Sequence, residues 1–244
     1  MIEPISIGIE IIKDVPKIVV KIKDWWTFNL PAGKVLGECL DNNKELKVYL
    51  KDLIVPENTW DNPKLFSQEG NFHQKNPNID KVWPEVEGRT VAELFNLLGT
   101  LGKHKKIEVT EMSKGYDEWN VNMIVLGAQA IKCREFYQIM ENVAYGVDDN
   151  NIFNFETKNP IDMDNANYGY GIILKARNPQ NNKPAFLLGG YGTLGTEAAV
   201  YYFVKNLALL GKKFGKRYFG IIVRARIAAG KQSTIRIQHY DKEF

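Results

Sequence analysis

Four glycines, two threonines and a glutamate crowd into Gly189-Gly190-Tyr191-Gly192-Thr193-Leu194-Gly195-Thr196-Glu197. An apolar run, Ala185 to Leu188, precedes them and a helical pattern, Glu197 to Leu210, follows, so the stretch reads as a strand-to-helix loop. Such a loop suits anion binding. Missing side chains let backbone N–H groups approach a phosphate, the helix N-terminus adds about half a positive charge, and Thr193 or Thr196 can donate a hydroxyl. Thr196 is also placed to cap the helix. The spacing is neither that of a P-loop, which needs a closing Lys-Ser/Thr pair, nor that of the dinucleotide fingerprint. A second reading needs no ligand, because the same glycines permit a tight turn with close packing. Glu197 divides the same way, between a catalytic carboxylate and a plain acid that favours the helix dipole.

The nine residues resemble the GGxGTxxE signature of the Lonely Guy and lysine-decarboxylase-like group within the SLOG superfamily. The resemblance implies a Rossmann-like nucleotide binder with phosphate contacts through Gly190, Gly192 and Thr193. In the enzymes of that group it also implies a glutamate that assists hydrolysis of a nucleotide's N-glycosidic bond. Two positions depart from the signature. Leu188 stands where a proline often precedes the first glycine, and Thr196 stands where the family has its acid, with Glu197 just behind. A one-residue shift on a helix turns a side chain by about 100°.

Other residues join the candidate set. Gly127, Ala128 and Gln129 end one apolar run and open a helical one containing Lys132, Cys133 and Arg134, which makes a second loop for the same pocket. Arg177 follows a further strand pattern and is long enough to reach an anion, although Asn178-Pro179 beside it is first of all turn chemistry. From Gly211 to Arg236, eight cations (Lys212, Lys213, Lys216, Arg217, Arg224, Arg226, Lys231, Arg236) occur without one acid. They form either a solvated basic edge or a wall for an anionic ligand. Cys133 has no base nearby in sequence and reads as an inert buried thiol. Asp148, Asp149, Asp162 and Asp164 match no calcium loop and read as turn residues. Cys39 and Cys133 lie far apart with only His73, His104 and His239 to assist, so no metal site and no cofactor is expected.

The elements that must hold these residues follow from periodicity. Val91 to Leu101 and Ala130 to Met140 are helical, and Lys106 to Met112, Val121 to Leu126, Gly169 to Lys175, Tyr218 to Arg224 and Ser233 to His239 are strands. Apolar strands alternating with helices imply an α/β fold, a Rossmann-like three-layer sandwich with a mostly parallel sheet, over residues 88–244. Residues 31–87 carry Pro31, Pro56, Pro63, Pro77 and Pro84 and read as a loop-rich region packing on that core, with one clear strand, Glu45 to Val55. Trp60, Phe66, Phe72 and Trp83 pin it down. Residues 1–30 form an amphipathic segment whose stripe, Ile11, Val15, Ile18, Ile22 and Trp25, suits a helix that contacts the body, a partner or another copy. Ile18 to Ile22 also fits a strand.

Composition removes other classes. With 32 Lys and Arg against 29 Asp and Glu, the net charge of +3 is too small for a general nucleic-acid coat, and no run of about 18 to 20 apolar residues is present to span a membrane. The expectation is a cytoplasmic protein with reduced thiols. Three functions remain: a sensor or regulator that binds a nucleotide or phosphorylated small molecule, a nucleotide N-glycosidase using Glu197, and a structural subunit that oligomerises.

Overall fold

A computed structural model describes residues 28–50, 53–54, 81–82, 85–111, 119–127, 131–148 and 151–242. The stripe Ile11 to Trp25, the aromatics Trp60, Phe66, Phe72 and Trp83, and Gln129 lie outside the described residues. Helix α1 spans Leu30–Leu36, with Pro31 at its start, where a missing N–H costs nothing. After a 3-10 turn at Gly37–Leu40, strand β1 (Leu46–Leu50) follows. The short pair β2 (Leu53–Ile54) and β3 (Lys81–Val82) precedes α2 (Glu85–Thr100). Next come β4 (Ile107–Glu111), β5 (Asn122–Leu126), α3 (Ile131–Ile139), and the hairpin of β6 (Tyr145–Val147) and β7 (Ile152–Asn154). The long strands β8 (Tyr168–Asn178) and β9 (Lys183–Tyr191), α4 (Gly192–Phe214), β10 (Tyr218–Arg226) and β11 (Ile235–Lys242) complete the described chain.

The molecule is a mixed α/β structure around one seven-stranded sheet ordered β11-β10-β8-β9-β5-β1-β4. Strands β4, β1, β5 and β9 pair in parallel, while β9-β8, β8-β10 and β10-β11 pair antiparallel. Five of the seven strands (β1, β4, β5, β9 and β10) therefore run in one direction. All five residues of β5 are buried, as a strand covered on both faces requires.

Two separate cores confirm that coverage. On one face, Ala32, Val35, Leu94, Leu98, Phe203 and Leu207 from α1, α2 and α4 pack on Val48, Ile124, Leu188 and Ile221. On the other, Phe136 of α3 and Tyr145 and Ile152 of the hairpin pack on Met123, Val125, Ile172 and Leu187. Strand β1 sits inside the sheet between β5 and β4, so the 31–87 region supplies a central strand as well as material packed around it. No described helix is long and apolar enough to cross a membrane.

Candidate functional site at the carboxyl edge of the sheet

The glycine-rich stretch is not a loop. Strand β9 runs on through Tyr191, with Gly189 opposite Ile172 and Gly190 opposite Gly171, and α4 begins at the next residue. The helix start expected at Glu197 therefore moves forward to Gly192. Thr196 does not cap it. The N-cap position is Tyr191, which makes no side-chain cap bond, and Thr196 is buried inside the second turn.

Packing explains two of the four glycines. A Cβ on Gly190 would stand closer than 3.0 Å to the Gly195 backbone and the Tyr170 carbonyl, and one on Gly195 closer than 3.0 Å to the Tyr170 carbonyl. Gly171, on the neighbouring strand, faces the Gly195 carbonyl at the same range. These three glycines let the first turn of α4 lie directly against β8 and β9. Gly192 differs: its φ of +72° favours glycine, yet a Cβ there would meet nothing within 4 Å. Gly192 and Thr193 are exposed. Their N–H groups and that of Leu194 belong to the first helical turn, which has no intrahelical acceptor to offer them.

Neighbouring parallel strands β5 and β9 send their helices to opposite faces, α3 to one core and α4 to the other. The position between their carboxyl ends, where neighbouring helices diverge, is where open α/β sheets usually hold a ligand. Gly127 stands at that position, directly after β5. Its N–H donates to the Leu188 carbonyl at 2.9 Å, its φ is +97°, and its own carbonyl accepts the Cys133 thiol at 3.2 Å. Cys133 is fully buried and anchors the turn.

Glu197 does not project freely. One of its carboxylate oxygens, Oε1, lies 3.4 Å from the guanidinium of Arg89 on α2 and 3.7 Å from the ammonium of Lys231, in the turn after β10. Lys231 also pairs closely with Glu93. Glu197 is one helical turn below exposed Thr193 on the same side of α4. Its carboxylate is thus committed to two ion pairs inside the molecule rather than turned out toward a ligand. Glu197→Gln is expected to lower stability by no more than about 1 kcal/mol, because Arg89 is half exposed; thermal melts of the two proteins check this.

Arg177 does not belong to this site. It lies inside antiparallel β8, opposite Pro184 near the amino end of β9, roughly 23 Å of strand away from Tyr191. There it pairs with Glu141 at 3.0 Å and donates to Asn182. The basic stretch is likewise divided by β10. Lys212, Lys213, Lys216 and Arg217 stay at the far edge, while Arg224, Arg226, Lys231 and Arg236 reach the carboxyl edge. Arg224 stacks over the Tyr168 ring at 4.5 Å, and Arg226, Asn167 and Asp164 border a cleft of about 470 Å³ on that edge.

Asp148 and Asp164 accept bonds from Asn151 and Asn167 within their own turns. Among the described residues no group of three or more His, Cys, Asp or Glu converges to hold a metal. Arg89 carried no signal in the sequence, since nothing in its spacing ties α2 to a residue more than a hundred positions later. Compared with protein-family models, curated proteins and solved structures, the chain matches none of them.

Proposed function

We propose that the chain is a Rossmann-like protein that binds a nucleotide or a similarly phosphorylated small molecule and acts as a sensor or regulator. The observation that carries the reading is the divergence of α3 and α4 to opposite faces from the neighbouring parallel strands β5 and β9, with the exposed first turn of α4, which no side chain caps, at that edge. A phosphate there is met by the N–H groups of Gly192, Thr193 and Leu194, by the positive end of a helix of 23 residues, and by the Thr193 hydroxyl. Arg89 and Lys231 stand one helical turn deeper, where Glu197 and Glu93 now balance them. The resemblance of GGYGTLGTE to the SLOG signature points to the same ligand class. The ion pairs of Glu197 favour binding over N-glycosidic hydrolysis.

A thermal-shift screen against nucleotides, cyclic nucleotides and nucleotide sugars, with the mixture read by mass spectrometry, tests the reading. The expected result is a raised melting temperature with the ligand recovered intact, since binding to the native state alone stabilises it. Recovery of free base and ribose phosphate establishes the hydrolase instead, and no shift at millimolar ligand removes the pocket. Glu197→Gln separates the readings further. It releases Arg89 and Lys231 from a competing carboxylate, so phosphate affinity is expected to rise several-fold, whereas a catalytic glutamate predicts unchanged binding and lost turnover.

A further inference from the structure

The opposite edge of the sheet holds a second cavity, of about 360 Å³, at the small end of the range for small-molecule pockets. The C-terminal ends of α1 and α4 and the turn between β8 and β9 enclose it. Its lining includes Lys34, Lys175, Lys183, Lys216, Glu38 and Tyr218. Glu38 is already committed, 2.8 Å from both Lys44 and Lys183, and these two contacts hold its carboxyl below the ordinary range. Among the described residues, Lys34, Lys175 and Lys216 pair with no carboxylate.

Lys175 is the unusual member of this group. It projects from the middle of β8 toward the α4 layer and is 2% exposed. Its ammonium is held only by the carbonyls of Lys34, Gly215 and Lys216, at 3.3, 3.3 and 3.2 Å, at or just past the long end of the usual range. Lys103, the other deeply buried lysine, is gripped by two carbonyls at 2.5 and 2.7 Å. Desolvation pushes the pKa of Lys175 down to about 8. Near neutral pH a much larger share of it is then neutral amine than of an exposed lysine.

We infer that Lys175 is a carbonyl-capturing amine, and that its cavity takes a small aldehyde or 2-oxo compound bearing a carboxylate. The inference is independent of the nucleotide site. A desolvated lysine beside other cations is the activated form of this nucleophile. Its lone pair attacks the carbonyl carbon while the C=O electron pair moves to oxygen, which takes up a proton and gives a carbinolamine. Nitrogen then loses a proton to leave the neutral carbinolamine, a second proton on the hydroxyl lets it depart as water while the nitrogen lone pair forms the C=N bond, and loss of the remaining N–H proton gives the imine. One amine and one carbonyl become one imine and one water, with no change of oxidation state. Tyr218 lines the same cavity, and burial raises its pKa, so it stays protonated as the donor to the carbonyl oxygen. Lys34 and Lys216 supply the charge that a carboxylate requires.

The test uses the full chain with glyoxylate and cyanoborohydride at pH 7.5, with the carboxymethylated lysines located by peptide mass spectrometry. Lys175 is expected to label at least tenfold faster than Lys34, Lys183 and Lys216, with a rate that levels off above pH 8 while theirs climbs through pH 10. Replacing Lys34 and Lys216 by Gln together is expected to slow glyoxylate labelling several-fold more than labelling by neutral propionaldehyde, which falls only as far as the lost cations raise the pKa of the amine. Labelling of Lys175 no faster than the surface lysines, or only after unfolding, overturns the inference. So does a rate that the double variant leaves unaltered for both probes.

Discussion

Gly195→Ala is expected to destabilise the protein by about 3 kcal/mol or more, lowering the melting temperature by roughly 6 to 12 °C. The added methyl falls within 3.0 Å of the Tyr170 carbonyl, and the Gly190 backbone lies close by. Backbone atoms of two central strands cannot turn aside as a flexible side chain does. The only relief is to lift the first turn of α4 off β8 and β9, and this uncovers Leu194, which packs over Gly169, and the apolar face beneath Ala198 and Ala199. Gly192→Ala is the control. No atom lies within 4 Å of the added carbon, so its cost is only the strain of a positive φ, about 1 kcal/mol. Equal melting temperatures for the two variants contradict the packing account. The same comparison shows why Gly190 is a poor probe of ligand binding: changing it disturbs the helix seat before it disturbs the ligand.

Thr193→Glu is expected to separate folding from binding with opposite signs. The position is exposed and lies at the second residue of α4, where a carboxylate favours the helix dipole by about 0.3 to 1 kcal/mol. The melting temperature therefore holds or rises by a degree or two. The same charge faces any phosphate seated on that turn. Two unit charges about 5 Å apart at an effective dielectric near 20 repel by roughly 3 kcal/mol, so a loss of affinity of at least tenfold is a conservative expectation. Calorimetric titration of the nucleotide that gives the largest thermal shift measures it. Unchanged affinity in a fully folded variant moves the ligand away from α4.

Much of the order of elements from α2 onward was legible in the sequence, because α2, β5 and β10 each carry a recognisable apolar pattern, closed by Gly102 after α2 and Gly127 after β5. Positions that depend on strand direction were not. Arg177 follows an apolar run just as Gly127 and Gly189 do, but β8 runs antiparallel to β9, and this carries it to the opposite edge. Local patterning holds no record of that direction. The boundary between β9 and α4 was hidden for a different reason. Gly189, Gly190 and Gly195 look like loop residues by propensity, and the places of Gly190 in the ladder and Gly195 in the helix depend on a close approach to Gly171 and Tyr170 of another strand. The basic stretch split because β10 spans roughly 30 Å and takes its cations to both ends. Gly192 and Thr193 keep the exposed place that their spacing suggested, and the partners of Glu197, Arg89 and Lys231, required the packing of α2 against α4 to become visible.

Hydrogen exchange of the protein with and without the intact nucleotide ligand tests the central claim most directly. The amides of Gly192, Thr193 and Leu194 head a helix with no side-chain cap and should exchange fast in the free protein. Bound phosphate is expected to slow the peptide spanning 189–197, together with the one containing Gly127, and to leave the cleft at 164–168 and 226–228 unchanged. Protection confined to that cleft, or none over 189–197 at saturating ligand, contradicts an anion site at the carboxyl edge between β5 and β9.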